Sequence, residues 1–271
     1  MKRLVTVPVV CAVLLLAGCA GDAESDSAEE SPQSSPSSSA PLDRPAVGDC
    51  HRLSRDDLLG SADTSPPVDC TEKHTSQTAY VGTFKAAVLS DPSALTGAAA
   101  TRRAARTCRD EAASYLGTEP QRLRLTRVEV FWFVPTPDEV DAGGDWLRCD
   151  VVVLERDDEL MPLPRNMKGA LGTKAGLDRF GLCGTARPGA KDFRRVVCSE
   201  KHSWRAISTI PLQGGKRYPG TAAVRSTGEE PCQGQAREAQ GGALEYDYGW
   251  EWPTRAQWEA GQRHGYCWAP G

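Results

Sequence analysis

The sequence lacks the motifs by which several large classes of enzyme are recognised. It contains no Gly-x-Ser-x-Gly elbow, no His-Glu-x-x-His pair, no Gly-x-x-x-x-Gly-Lys loop and no Cys-x-x-Cys pair. It has only four histidines in 271 residues, and its formal net charge is -4. A nucleic-acid binder would need a basic surface. We therefore expect a protein that is not an enzyme, has no cofactor and no bound metal, and does not bind nucleic acid.

The sequence also lacks an apolar run long enough to cross a bilayer at its N-terminus. Leu4–Leu16 has thirteen residues, whereas a spanning helix needs about 20. This run follows Lys2-Arg3 and ends in Leu16-Ala17-Gly18-Cys19, which is typical of a bacterial lipoprotein signal. The pattern predicts a signal peptide over residues 1–18 and a lipid such as palmitate on Cys19. The alternative is an ordinary signal peptide followed by a chance cysteine.

The acidic charge of the chain is concentrated near the N-terminus. Residues 19–49 have a net charge of -6, whereas residues 50–271 sum to zero. Residues 19–45 are rich in Ser, Pro, Glu and Asp, and they contain too few apolar residues to offset the entropy of ordering. We expect a disordered tether here. The remainder is neutral and mixed in sign, which gives no indication of attraction to a polyanion.

Eight further cysteines form two sets of four. The intervals are 20, 38 and 41 residues in the first set, and 15, 34 and 35 in the second. Their surroundings repeat as well: Cys70-Thr-Glu-Lys-His74 matches Cys198-Ser-Glu-Lys-His202, and Trp132 precedes its closing cysteine by the same interval as Trp250. Several matches in the same order indicate an internal duplication.

Eight cysteines in an exported protein predict disulfides. Two self-contained repeats with a shared topology leave three pairings. We favour first with second and third with fourth, because the first pair brackets a short hairpin-like segment and the third lies on a helix beside the strand of the fourth. The predicted bonds are Cys50–Cys70, Cys108–Cys149, Cys183–Cys198 and Cys232–Cys267.

Local patterns predict the same elements in both repeats. A strand should follow each histidine, at Gln77–Phe84 and Trp204–Ile210. A helix should run from Asp91-Pro92 to Gly117, interrupted at Gly97, and its counterpart from a capping box at Thr227–Glu230 to Gly241. Further capping boxes occur at Thr136–Glu139 and Thr254–Gln257.

These elements predict an α+β fold made of two tandem disulfide-stapled domains. Each domain would be a small antiparallel sheet with one main helix. The predicted boundaries are residues 46–155 for the first repeat, 156–174 for a linker and 175–271 for the second repeat.

The combined pattern resembles the septum-formation-related domain of secreted and lipid-anchored actinobacterial proteins. It comprises Gly-x-Cys, Cys-x-x-x-His before a strand, a helical cysteine, and Trp-x-x-Pro before a glycine and the closing cysteine. It covers about residues 46–155 and again 176–269. The first repeat departs from the second at Val134, where the second has Trp252, and at Gly97. The resemblance implies a cell-envelope protein linked to division, with no known reaction and no catalytic residues.

His74 and His202 are candidate binding residues because each lies four positions after a cysteine. A zinc site would need free thiolates, which an oxidising compartment disfavours. The alternative is that each histidine hydrogen-bonds the turn that follows the second cysteine.

Aromatic residues of the second repeat form a second set of candidates. Tyr246, Tyr248, Trp250 and Trp252 alternate along a predicted strand and would suit the stacking of sugar rings, or else the buried face of that strand. Trp258 and Trp268 have no counterpart in the first repeat, and we expect them to make exposed contacts with a ligand.

The sequence thus predicts a non-enzymatic lipoprotein on the extracytoplasmic side of the cell membrane. It would display two domains that bind a cell-wall glycan or an envelope protein, with a link to septum formation. One alternative is a wall-active hydrolase that uses carboxylates and a paired histidine. Another is a structural spacer with no ligand.

Overall fold

The structure, a computed structural model, describes residues 42–91, 93–156 and 159–271. The predicted signal peptide, Cys19 and nearly all of the predicted tether lie outside these residues. Residues 41–271 form one compact unit. Within the described residues, no helix combines the length and apolar character needed to span a membrane.

The first half is built on a four-stranded antiparallel sheet. Its strands lie in the order β1-β2-β4-β3. Their bounds are Cys50–His51 for β1, Ser76–Thr83 for β2, Val128–Phe133 for β3 and Trp146–Val153 for β4.

One long helix, α3, covers one face of this sheet. It spans Ala98–Leu116 and begins directly after Gly97, as the interrupted pattern predicted. Four of its buried residues recur every four positions, at Ala104, Cys108, Ala112 and Leu116, and Ala113 is buried beside them, which places all five on a single face. The helix ends at Gly117, whose φ of 75° suits glycine. The shorter helices of this half are α1 (Ala86–Leu89), α2 (Ser93–Thr96), α4 (Pro120–Leu123) and α5 (Pro137–Asp141).

The second half has a five-stranded antiparallel sheet in the order β6-β5-β7-β9-β8. The strands are β5 (Leu182–Gly184), β6 (Arg195–Val197), β7 (Trp204–Pro211), β8 (Gly249–Glu251) and β9 (His264–Pro270). The helices are α6 (Lys174–Phe180), α7 (Thr221–Ala239) and α8 (Arg255–Glu259). The α+β class is therefore confirmed.

The start predicted for the long helix of the second half is wrong. Helix α7 begins at Thr221, so the Thr227–Glu230 pattern lies inside it. The Thr227 hydroxyl donates to the carbonyl of Ala223 over 2.7 Å instead of capping a helix end. Val224 is buried in the core of this half, and its burial favours an extra turn of helix that the local pattern did not indicate.

The two shorter capping boxes and all four disulfides are confirmed. Thr136 and Glu139 cap α5, and Thr254 and Gln257 cap α8, each with both reciprocal hydrogen bonds. The disulfides join Cys50 to Cys70, Cys108 to Cys149, Cys183 to Cys198, and Cys232 to Cys267. In each half, the second bond ties the long helix to the central part of the sheet.

The two halves share backbone hydrogen bonds and core residues. The amide of Arg127 donates to the carbonyl of Phe180, and that of Leu182 donates to the carbonyl of Leu125, both over 2.8 Å. Phe180 and Val197 belong to the same buried cluster as the residues beneath α3. The segment 159–174 adds three buried residues to this cluster, namely Leu163, Met167 and Leu171. The segment predicted as a linker is therefore also part of the core.

Candidate functional site

His74 and His202 each lie in the turn that follows the second cysteine of their half. The Nδ1 of His74 donates to the carbonyl of Glu72 over 2.8 Å, and that of His202 donates to the carbonyl of Glu200 over 2.7 Å. His74 is buried and His202 is half-buried. This matched geometry favours the turn-stabilising alternative for both residues.

One cluster among the described residues has the composition of a metal site. The Sγ atoms of Cys183 and Cys198 and a ring nitrogen of His202 all lie within 4.8 Å of one another. The two sulfurs are joined in a disulfide, however, so neither is a thiolate. The cluster can offer a metal only a single imidazole, which is too little for a zinc site.

The prediction that Trp258 and Trp268 make exposed contacts is wrong, because both are fully buried. Trp258 packs edge-on against Tyr218, and its Nε1 donates to the carbonyl of Gly215 over 3.2 Å. Trp268 packs edge-on against Phe193, and its Nε1 donates to Glu251 over 3.1 Å.

The aromatic ladder of the second half also faces the protein rather than open solvent. Trp250 is buried, and Tyr246, Tyr248 and Trp252 are partly buried against the same core cluster. Gly228 of α7 lies so close to the indole of Trp250 that a Cβ there would come within 1.9 Å of it. Strand β8 contains only Trp250 of the four, so the predicted strand is too long. The geometry nevertheless favours packing against the core over a sugar-binding platform.

The sequence did not predict a buried polar network that lies on the face of the first sheet opposite α3. The fully buried Asp150 accepts hydrogen bonds from Ser76 and Thr78, each over 2.9 Å. The Nη2 of Arg148 lies 3.1 Å from the Oδ2 of Asp150 and 2.6 Å from the Oδ2 of Asp63. Counted from the cysteines, the second half has Trp204, Ala206, Tyr266 and Trp268 at the positions of Ser76, Thr78, Arg148 and Asp150. Trp268 thus occupies the position of the buried Asp150, and this equivalence accounts for the burial of its ring.

His51 lies at the edge of this network and is buried. Among the described residues, neither of its ring nitrogens has a hydrogen-bond partner. Burial and the charge of Arg148 lower its pKa from the usual value, which favours the neutral ring. A cavity of about 180 Å³ adjoins it, with Asp49, Asp63 and Arg148 in the wall.

The main candidate site is a cleft of about 290 Å³ to which both halves contribute. The first half supplies Arg109 from α3, Arg124 and Arg127 from the segment after α4, and Glu129 and Trp132 from β3. The second half supplies Leu182 from β5, Arg195 from β6, and His264 and Tyr266 from β9. The backbone bonds between residues 125–127 and 180–182 lie beside it and fix one wall against the other.

Hydrogen bonds and ring contacts hold the cleft side chains in place. Arg127 is buried, and it donates from Nε to the carbonyl of Leu154 and from Nη2 to that of Arg156, over 3.0 and 3.1 Å. The Nη2 of Arg195 lies 2.8 Å from the Oε1 of Glu251. The guanidinium group of Arg195 also stacks over the ring of Tyr266, and its Cζ lies 4.8 Å from the ring centroid. These charges therefore lie on a rigid frame, which suits a binding site.

The titratable groups of the cleft are shifted in different directions. Burial is the main cause that lowers the pKa of His264 to about 4, and the charges of Arg124 and Arg195 act in the same direction. Desolvation of its carboxyl group raises the pKa of Glu129, although the residue as a whole is exposed and the charges of Arg127, Arg195 and Arg55 oppose this effect. Burial also raises the pKa of Tyr266. The cleft thus favours a neutral imidazole and a neutral phenol beside several fixed positive charges.

Sequence reasoning missed this cleft because its residues are distant along the chain. They come from positions 105 to 266, and no short motif includes more than a few of them. One signal was visible in the sequence, namely the arginines of the predicted helix at positions 102, 103, 106 and 109. Because residues 50–271 have a net charge of zero, the total charge did not indicate that these arginines form a local positive surface.

Comparison with known proteins gives one match. The model of a family described as septum formation matches residues 47–267, which include all four disulfides, the first sheet and the second sheet as far as Cys267 in β9. Neither the curated proteins nor the solved structures contain a significant match.

Proposed function

The chain belongs to the septum formation family, and on this basis we propose that it is a non-enzymatic lipoprotein of the cell envelope that binds a partner connected with septum formation. The lipid would be attached to Cys19, and the folded part would lie outside the membrane at the end of the acidic tether. The observation that carries the binding role is the cleft, whose rigid charged walls come from both halves.

We also infer that the two halves arose from tandem copies of one unit. Strands β1, β2, β4 and β3 have the same order as β5, β7, β9 and β8. Both central strand pairs have an irregularity at the same distance from the second cysteine, at Thr78/Tyr80 and at Ala206/Ser208.

The binding role is tested with a photocrosslinking amino acid placed at Trp132, which is half-buried and lines the cleft. The same amino acid at Trp252, which is half-buried in the second half and is not part of the cleft wall, serves as the matched control. We expect an adduct from position 132 in intact cells and none from position 252. Equal labelling, or no adduct from either position, would contradict the proposal.

The connection with division is tested by imaging a tagged full-length protein in dividing cells. We expect enrichment at the division site. A Cys19→Ala variant should instead be released from the membrane fraction. A uniform distribution of the lipidated protein around the envelope would contradict the septal role.

A wall-active hydrolase that uses carboxylates and a paired histidine is the alternative. His74 and His202 hydrogen-bond their own turns. Besides Arg195, the groups in the cleft with shifted pKa values are Glu129, His264 and Tyr266. Incubation of purified wall material with the protein tests this alternative, and we expect no release of soluble fragments. Release that is lost in a Glu129→Gln variant would favour the hydrolase.

A further inference from the structure

A row of arginines on α3 leads along the helix surface into the cleft. Arg102, Arg106 and Arg109 are spaced by four and three residues, so they lie on one face over about 10 Å of helix. Arg103 lies beside them, and the side chains of Arg102, Arg103 and Arg106 are exposed. No acidic residue occurs in α3 before Asp110. We call these four residues the arginine row.

The arginine row is specific to the first half. Counted from Cys108 and Cys232, helix α7 has Ser226, Thr227, Glu230 and Gln233 at the four equivalent positions. The arginines of α7 lie elsewhere, and one of them, Arg225, pairs with Glu229. The row is therefore not a requirement of the shared fold, in which a long helix packs on a sheet in both halves.

The row and the cleft form one positive surface on a domain whose net charge is zero. Arg109 belongs to both, and the cleft adds Arg124, Arg127 and Arg195. The acidic neighbours are Glu129 in the cleft, Asp110 beside Arg109, and Glu251 beside Arg195. Seven arginines thus face three carboxylates, and the pKa of one of these, Glu129, is raised.

The shape of this surface indicates what kind of anion would bind. A flat membrane could touch the exposed arginine row, but it could not reach Arg127, which is buried in the cleft wall. The cleft volume suits one or two ring-sized groups, and the half-buried Trp132 and Tyr266 offer aromatic rings beside the arginines. Arginine forks match carboxylate and phosphate groups equally well.

We propose that this surface binds an anionic polysaccharide, with one charged sugar unit in the cleft and the chain extending along the arginine row. This rests on the proposed binding function and names its ligand class. The shared chemistry is a sugar ring that carries an oxyanion, and the oxyanion is either a carboxylate or a phosphodiester. Charge–charge contacts would dominate the affinity, so binding should weaken as salt is added.

The test is calorimetric titration of the delipidated protein with three polymers of similar length. Alginate supplies carboxylates, phosphomannan supplies phosphodiesters, and dextran is neutral. We expect binding of at least one anionic polymer and none of dextran, and the preferred polymer identifies the oxyanion. Absence of binding to both anionic polymers at low salt would overturn the proposal.

Three variants separate the parts of the surface. Arg102→Gln/Arg106→Gln removes two charges from the row, and Arg124→Gln removes one from the cleft. Arg225→Gln/Arg237→Gln makes the same change as the first variant on the equivalent helix α7. We expect the row variant to bind about tenfold more weakly, the cleft variant about fivefold, and the α7 variant less than twofold. Equal effects of the two double variants would overturn the proposal. Melting curves verify that each variant is folded.

Three further outcomes distinguish this proposal from the proposed function. Binding to anionic phospholipid vesicles that depends on the row and not on Arg124, without polymer binding, would identify a membrane contact and overturn the proposal. A protein adduct from position 132 without polymer binding would also overturn it, yet would leave the proposed function intact. Loss of both the adduct and the polymer binding would contradict both.

Discussion

Arg148 is a buried charge that two carboxylates hold in place. Its side chain is 5% exposed, and its partners Asp63 and Asp150 are 8% and 0% exposed. An Arg148→Met variant leaves both carboxylates without their cation, and we expect the free energy of unfolding to fall by about 3 kcal/mol in urea titrations. The control is Arg195→Met, whose pair with Glu251 is about one quarter exposed, and a loss of about 1 kcal/mol is expected there. Equal losses would contradict the assignment of a buried network.

His264 should make the protein sensitive to mild acid. Its folded pKa is about 4, whereas the ring in the unfolded chain titrates near its ordinary value of 6.5. Between these pH values the unfolded state binds the proton and the folded state does not, so stability must fall as the pH falls through this window. A His264→Gln variant should lose less stability than the natural protein between pH 6.5 and 4.5. Parallel curves of melting temperature against pH would contradict this.

At the scale of elements, the close approach of α7 to β8 depends on one glycine. A Cβ at Gly228 would come within 1.9 Å of the Trp250 ring, whereas one at Gly234 on the same helix meets no atom within 4 Å. We expect Gly228→Ala to lower the melting temperature, because the helix must move away from the strand. Gly234→Ala should raise the stability by about 0.5–1 kcal/mol, as alanine does in a helix. Equal changes of melting temperature in the two variants would contradict a close contact between Gly228 and the ring of Trp250.

At the scale of the whole molecule, the two halves should unfold together. Phe180 and Val197 of the second half lie in the core of the first, and backbone bonds join residues 125–127 to 180–182. We therefore expect one calorimetric transition whose measured enthalpy equals the van't Hoff enthalpy. Two separable transitions would mean that each half is an independent domain.

The sequence by itself determined the covalent framework and most of the local structure. The repeated cysteine spacings reduced the pairings to three, and the predicted hairpin, helix and strand favoured the pairing that is observed. The capping boxes at Thr136 and Thr254 predicted two helix starts. These features depend on residues close together in the chain or on a pattern that occurs twice. The start of α7 was predicted wrongly because Val224 is stabilised by packing with distant residues.

Only the tertiary structure decided which surfaces are exposed and where charge accumulates. Trp258 and Trp268 are buried because the strands and loops around them fold over their rings, which no local pattern records. Arg109, Arg124, Arg127 and Arg195 converge on one cleft although they are far apart in a segment of zero net charge. A sum over the chain cancels charges of opposite sign, whereas electrostatic attraction depends on the distances between them, and folding sets those distances.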